Sequence, residues 1–411
     1  MISYNRFTNL IDELFLNPLH IRSIGYLPKW STKIEHFQYL KSKSNSDDFQ
    51  NGKCIWWHEE PLNEQDLEDL KFLAIHPSFT LRNPHCFDYG ADVGNPGQTD
   101  NIHDVNFQIF ANSEKSQLKK DWFKKYPYLD WYFFFHGFAA LDWYRDFKYL
   151  NHQNIEISKV FICMNHIINN NRSYRLSLLS HLRSNNIEKY GFISAPNLSQ
   201  QLIKSELYNP NSKLSIDMKK HIYYNLLPTA NSMILDNCND YNNASADIID
   251  EEYSLGSLWH LVTETVYYEE KLHLTEKIFK PIVSKRPFIL VSSFGNLKYF
   301  RDYGFKTFDR WIDESYDSEP DPDKRLHMIV NELVKLCNLS KNELNDMYKE
   351  MQEVLEYNYN HFYGDFKKII VDELIDNFKK CIFLYNRDLS ERYQLPAYAL
   401  NYEHIKNILL K

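Results

Sequence analysis

The run Lys159–Met164, KVFICM, constrains the fold most. It has the length of a strand and is too apolar to leave a face in water, so it belongs inside an α/β sheet with both faces covered. The polar loop NHIINNNRSY and a helix-like run, Arg175–Leu182, follow it. Strand, loop and a helix that starts at an arginine make an opening βα unit. The free N–H groups and dipole of such a helix start favour a phosphate, and an arginine there adds bidentate charge. No glycine stands in this loop, which is therefore neither a Walker A loop nor a dinucleotide fingerprint. Arg175 can equally be read as a solvated first-turn arginine.

A second stretch of the same kind runs from His260 to Val291. It opens with a strand-like His260–Thr263, carries carboxylates at Glu264 and Glu276 with Lys277 beside the latter, and ends in the apolar run Pro287–Val291. An acid and a base at the mouth of a helix leading into a buried strand suit a polar ligand at the edge of an α/β sheet. On spacing alone, Thr275 as N-cap with Glu276 and Lys277 as a solvated first turn accounts for the stretch equally well.

At 411 residues the chain exceeds one ordinary core, and two domains are expected. The polar segment 151–158, HQNIEISK, is the candidate boundary, giving domains 1–155 and 156–365 and a helix-rich extension 366–411. In the first domain Lys53–Trp57 (KCIWW) reads as a strand that stops at His58-Glu59-Glu60-Pro61, placing charged groups at a sheet edge. Residues 77–104 read as a long loop, and FQIFANSEKS (107–116) as a strand followed by a helix capped at Asn112 or Ser113. Tyr126–Leu150 is crowded with aromatics around His136 and reads chiefly as core, with a sugar-stacking wall as the alternative. Residues 195–250 read as polar and irregular, and 323–359 as helical.

Charge narrows the partners. A net charge of −8 disfavours a polyanionic partner, and Lys119–Lys125 (KKDWFKK) is the one basic cluster, read as a solvated helix face. Six cysteines without C-x-x-C spacing point to free thiols rather than a zinc site or disulfide framework. No signal peptide and no membrane-spanning run is read, so the cytoplasm is the expected location.

Three stretches together resemble the α-1,3-fucosyltransferase-like glycosyltransferases. One is Glu264 followed by Leu274-Thr275-Glu276-Lys277 and the strand Pro287-Phe288-Ile289-Leu290; the second is Asn165 through Arg175; the third is HEEPLN at 58–63. In order, they cover residues 53–310. The resemblance implies a GT-B fold, two Rossmann-like domains with parallel sheets facing across a cleft. It implies transfer of a sugar from a nucleotide-diphosphate sugar, GDP-sugar favoured, to a hydroxyl of a glycan or other acceptor, with inversion and with neither a cofactor nor an obligatory metal. Lys277 and Arg175 would neutralise the donor diphosphate, with Arg172 competing for the second role and Asn165 and Thr275 in the donor loops. Glu276 would hold the ribose and Glu264 would lie near the donor sugar. Glu59 would be the general base, with Glu60 its substitute, and His58 and His136 would face the acceptor. Two departures stand out: Leu274 replaces the family's aromatic residue and Glu60 its serine, which leaves the donor sugar open. The competing readings are a non-catalytic nucleotide- or carbohydrate-binding shell of the same fold, and a viral-type glycosyltransferase acting on DNA.

Overall fold

The computed structural model describes residues 22–24, 53–58, 61–62, 64, 67, 107–125, 129–149, 157–235, 249–393 and 402–410. The chain divides into two compact units, Ile2–Phe135 with Ile370–Lys411, and His136–Ile369. These divisions fall at 136 and 370, rather than at the polar segment 151–158 and at 366 where composition drew them. Both units are α/β with parallel sheets. No helix among the described residues is long and apolar enough to cross a membrane.

In the first unit four parallel strands, β1 (Arg22–Ile24), β2 (Lys53–His58), β3 (Phe107–Asn112) and β4 (Leu129–Tyr132), lie side by side in chain order. Phe110, Ala111, Trp131 and Tyr132 are buried, as strands covered on both faces require. Trp131 donates to the Leu374 carbonyl at 3.3 Å and packs on Phe378, so the helix Asp365–Tyr393 supplies part of this core. Helix α1 (Gln117–Lys125) is capped by the Ser116 hydroxyl, which accepts from Lys119 N at 3.2 Å, and not by Asn112 or Ser113. Asn112 stays in β3, and its side-chain oxygen accepts from the Lys119 ammonium at 2.8 Å. Lys119 is buried against Asp130 at 3.2 Å, and burial lowers its pKa. The KKDWFKK segment is therefore not a uniformly solvated basic face.

In the second unit β5 (Lys159–Met164), β6 (Gly191–Ser194), β7 (Ser257–Thr263) and β8 (Phe288–Val291) are parallel, in the order β8-β7-β5-β6. The chain leaves β5 for β6 on one side and then crosses to β7 on the other. The carboxyl ends of β5 and β7 thus flank a topological switch point, where open α/β sheets leave a crevice. Helix α2 (Tyr174–Ser184) follows β5 and is buried along most of its length.

Residues 195–250 are more regular than their composition suggests: α3 (Gln200–Tyr208) and α4 (Ile216–Asn225) are capped by Ser199 and Ser215. Only Met218 and Ile222 mark the buried face of α4, a pair too sparse to show periodicity in a polar background. Conversely, the helical stretch from 323 breaks into Pro322–Cys337, Lys341–Glu350 and Gln352–Tyr363. The second of these starts at a capping box formed by Ser340 and Glu343. Phe279, Phe300, Phe305, Phe362 and Phe366 form the aromatic core below the sheet edge, with Phe300 and Phe305 stacked at 4.3 Å. Cys163, Cys337 and Cys381 are free and buried.

Candidate functional site

A cavity of about 360 Å³ opens at the carboxyl edge of the second sheet, walled by the ends of β5, β6 and β7 and by the segment Glu276–Lys280. Its walls combine Met164, Asn165 and Thr263 from the two switch-point strands with Arg172, Arg175, Lys277 and Lys280. Asn165 ties the strand ends together. Its amide N–H donates to the Ser194 carbonyl at 2.8 Å, and its side-chain oxygen accepts from the Thr263 hydroxyl at 2.9 Å.

Arg175 is the most deeply set cation, with 2% of its surface exposed. Its guanidinium donates to the carbonyls of Ile167 (2.8 Å), Thr263 (2.7 Å) and Glu264 (3.3 Å). Among the described residues no carboxylate is ion-paired with it. A buried cation satisfied by neutral dipoles, three carbonyls and the Tyr174 hydroxyl (3.4 Å from Nε), leaves its positive field uncancelled for whatever enters the cavity. Arg172 is half-buried, more exposed than Arg175, and reaches the Thr265 hydroxyl at 3.4 Å.

Thr275 begins the 3-10 turn Glu276–Ile278, which leads into the short helix Phe279–Val283. Its hydroxyl accepts from Lys277 N (3.4 Å) and from the Lys277 ammonium (3.0 Å), so the cap and the lysine share one oxygen. Lys277 also lies 3.0 Å from Glu276 Oε1, while Glu276 Oε2 is 3.1 Å from His136 Nδ1. Burial alone would raise the Glu276 carboxyl. The Lys277 charge and the His136 hydrogen bond outweigh burial and hold it well below the usual carboxylate range. Glu276 is therefore an anion that orients Lys277 on one side and His136 on the other.

Glu264 stands apart from these lining residues. It is fully buried and outside the walls of the cavity. Its carboxylate accepts from Thr275 N, the Thr275 hydroxyl and Thr265 N. It holds the Thr275 turn in position and has no oxygen turned to a ligand. His136 is also outside the cavity walls and acts on them through Glu276. His58 ends β2, with its side chain outside the described residues, as are Glu59, Glu60 and the loop 77–104.

Lys280, Asp250 and His260 are among the cavity residues not singled out from sequence. Lys280 stands one helical turn beyond Lys277, a spacing that could have identified it. Asp250 caps the short helix Glu251–Gly256, accepting from Tyr253 N at 3.2 Å. His260 in β7 bonds the Ser254 carbonyl at 3.0 Å, and burial lowers it to about 3. Among the described residues four cations thus face two carboxylates, Glu276 and Asp250, in a chain whose net charge is −8. Such a cavity can hold a multiply charged anion. No protein-family model, no curated protein and no solved structure matches the chain.

Proposed function

We propose that this cavity binds the nucleotide portion of a nucleotide-diphosphate sugar, and that the chain is a glycosyltransferase of the GT-B type. The observation that carries the reading is the buried, carboxylate-free Arg175 at a switch-point cavity that Arg172, Lys277 and Lys280 also enter. A diphosphate leaving group develops charge as the glycosidic bond breaks. Fixed cations in a partly dry site stabilise that charge without reorganising during the reaction. Glu276 stays ionised and is positioned for a sugar hydroxyl such as a ribose 2′- or 3′-OH. Glu59, or Glu60 in its place, is assigned as general base by the resemblance of HEEPLN, taking the proton of the acceptor hydroxyl as it attacks the anomeric carbon. The donor is a GDP-sugar on the same ground. The burial of Lys119 counts against a DNA acceptor on the KKDWFKK segment.

A thermal-shift series with GDP, UDP, CDP and their sugars tests this. A ligand present at 100 times its Kd adds about 2.7 kcal/mol to stability, enough for a clear rise in Tm. GDP and a GDP-sugar are expected to give the largest rise. A series in which no nucleotide moves the transition contradicts the proposal.

A further inference from the structure

Four large side chains stand out into solvent on one small surface of the second unit: Tyr208 is 78% exposed, Ile216 72%, Tyr224 72% and Tyr223 49%. Helix α4 explains how they come together. Met218 and Ile222, one turn apart, are buried against the body. The 3.6-residue period then turns Ile216, Lys219, Lys220, Tyr223 and Tyr224 outward as a single stripe, about 12 Å long at 1.5 Å per residue. Tyr208, the last residue of α3, lies across a groove of about 210 Å³ from this stripe, with Lys219, Lys220, Tyr223 and Tyr224 along it.

The outer face of a surface helix is ordinarily polar throughout, because exposed apolar area is unfavourable in water. Here apolar and aromatic groups bracket a pair of lysines. Tyr223 and Tyr224 pack edge to face on each other at 5.2 Å. Lys219 reaches the Asn209 carbonyl at 3.4 Å, and Lys220 lies 3.6 Å from the exposed Asp217. None of these contacts gives the stripe an internal role that would require its composition.

We propose that this surface docks the chain on an anionic lipid bilayer. Tyrosine rings are amphipathic and settle at headgroup depth, with the ring toward the acyl chains and the hydroxyl in the polar layer. Lys219 and Lys220, set between the aromatics, are complementary to anionic headgroups. Ile216 decides between partners. It has no polar atom to offer a base or a sugar, and it gains only by entering an apolar phase. The rest of the chain is acidic, so an anionic surface repels it and this stripe fixes the side that approaches. The inference is independent of what the cavity binds.

Co-sedimentation of the full chain with phosphatidylcholine vesicles, with and without phosphatidylserine, tests it. The wild-type chain is expected to pellet with the phosphatidylserine vesicles, and less as salt is raised. Each lysine at an anionic surface is worth about fivefold in partitioning, so Lys219→Glu with Lys220→Glu lowers binding on the order of 25-fold or more. Ile216→Ser with Tyr224→Ser lowers it as well, with Tm unchanged because both side chains are exposed. Lys120→Glu with Lys125→Glu, on the exposed side of α1, leaves it unaltered. Absence of co-sedimentation, or variants that bind as the wild type does, overturns the proposal. It is also overturned if oligothymidylate binds with the same dependence on Tyr223 and Tyr224 while vesicles do not, which would make this a single-stranded nucleic-acid surface.

Discussion

Glu264 and Thr275, eleven positions apart, are joined by two hydrogen bonds, one from the Thr275 amide (3.1 Å) and one from its hydroxyl (2.7 Å). The Thr275 hydroxyl also accepts from Lys277 twice, so its single proton must go to Glu264. This chain of donors fixes the position of Lys277. Glu264→Gln places an N–H₂ where acceptors are needed and is expected to cost about 1–3 kcal/mol. Thr275→Val is expected to cost a similar amount, whereas Thr275→Ser retains most of the stability. Urea denaturation of the three variants checks this; a Glu264→Gln midpoint equal to that of the wild type would refute the donor assignment.

The two arginines separate by role. Arg175 is buried and bonded to three carbonyls, so Arg175→Ala leaves acceptors unsatisfied and should lower stability by about 2–4 kcal/mol. Arg172 is half-buried, and its hydrogen bond to the Thr265 hydroxyl is 3.4 Å long. Arg172→Ala should cost less stability than Arg175→Ala and weaken nucleotide binding about 10-fold, the worth of one charge-assisted hydrogen bond. Melting curves recorded with and without GDP distinguish the two; an Arg175→Ala variant as stable as wild type runs against the account.

Acid stability follows from histidines kept neutral. His260 is lowered from 6.5 to about 3 by burial, and His181 to about 3 by burial and by His221 and His327. His181 stacks on His221 at 3.9 Å and meets His327 edge-on at 4.6 Å. Between pH 6.5 and about 3 the unfolded chain binds protons that the folded chain refuses, so stability falls as pH falls through that window. His260 alone contributes a slope of up to about 1.4 kcal/mol per pH unit. Glu276, held low, adds a loss in the same direction once pH drops below its ordinary 4.5. Denaturant midpoints measured from neutral to acidic pH should show the decline, and His260→Gln should flatten it. A midpoint independent of pH across the window contradicts the burial argument.

The proposed sugar transfer is tested at the other end of the chain. Glu59→Gln is expected to abolish sugar transfer while leaving the Kd for donor nucleotide within about twofold, as removal of a general base requires. Loss of nucleotide binding in this variant would mean that Glu59 serves the donor side or the fold.

The legible parts of the sequence were those in which one run of residues carries the whole signal. Lys159–Met164 reads as a buried strand because both of its faces are apolar, and the strand occupies those residues. Thr275 reads as a cap from its place before a helical run, and it is one. What escaped depends on separate segments meeting. Glu264 lies in the same stretch as Thr275, His260–Val291, yet nothing local tells that the intervening loop returns Thr275 to both of its oxygens. The His181, His221 and His327 cluster comes from three helices far apart in sequence. The turn of Glu276–Ile278 brings Lys280 to the same cavity as Arg175, more than a hundred residues earlier in the chain.

The central claim is that the switch-point cavity holds a nucleoside diphosphate through Lys277 and its neighbours. Titration calorimetry of GDP into the full chain and into Lys277→Ala measures this directly. One site per chain is predicted for the wild type, with affinity lowered about 10- to 100-fold in the variant at a temperature where both proteins are folded, the range for loss of one charge-assisted contact to phosphate. No binding heat with the wild type, or equal affinity in the two proteins, would contradict the account.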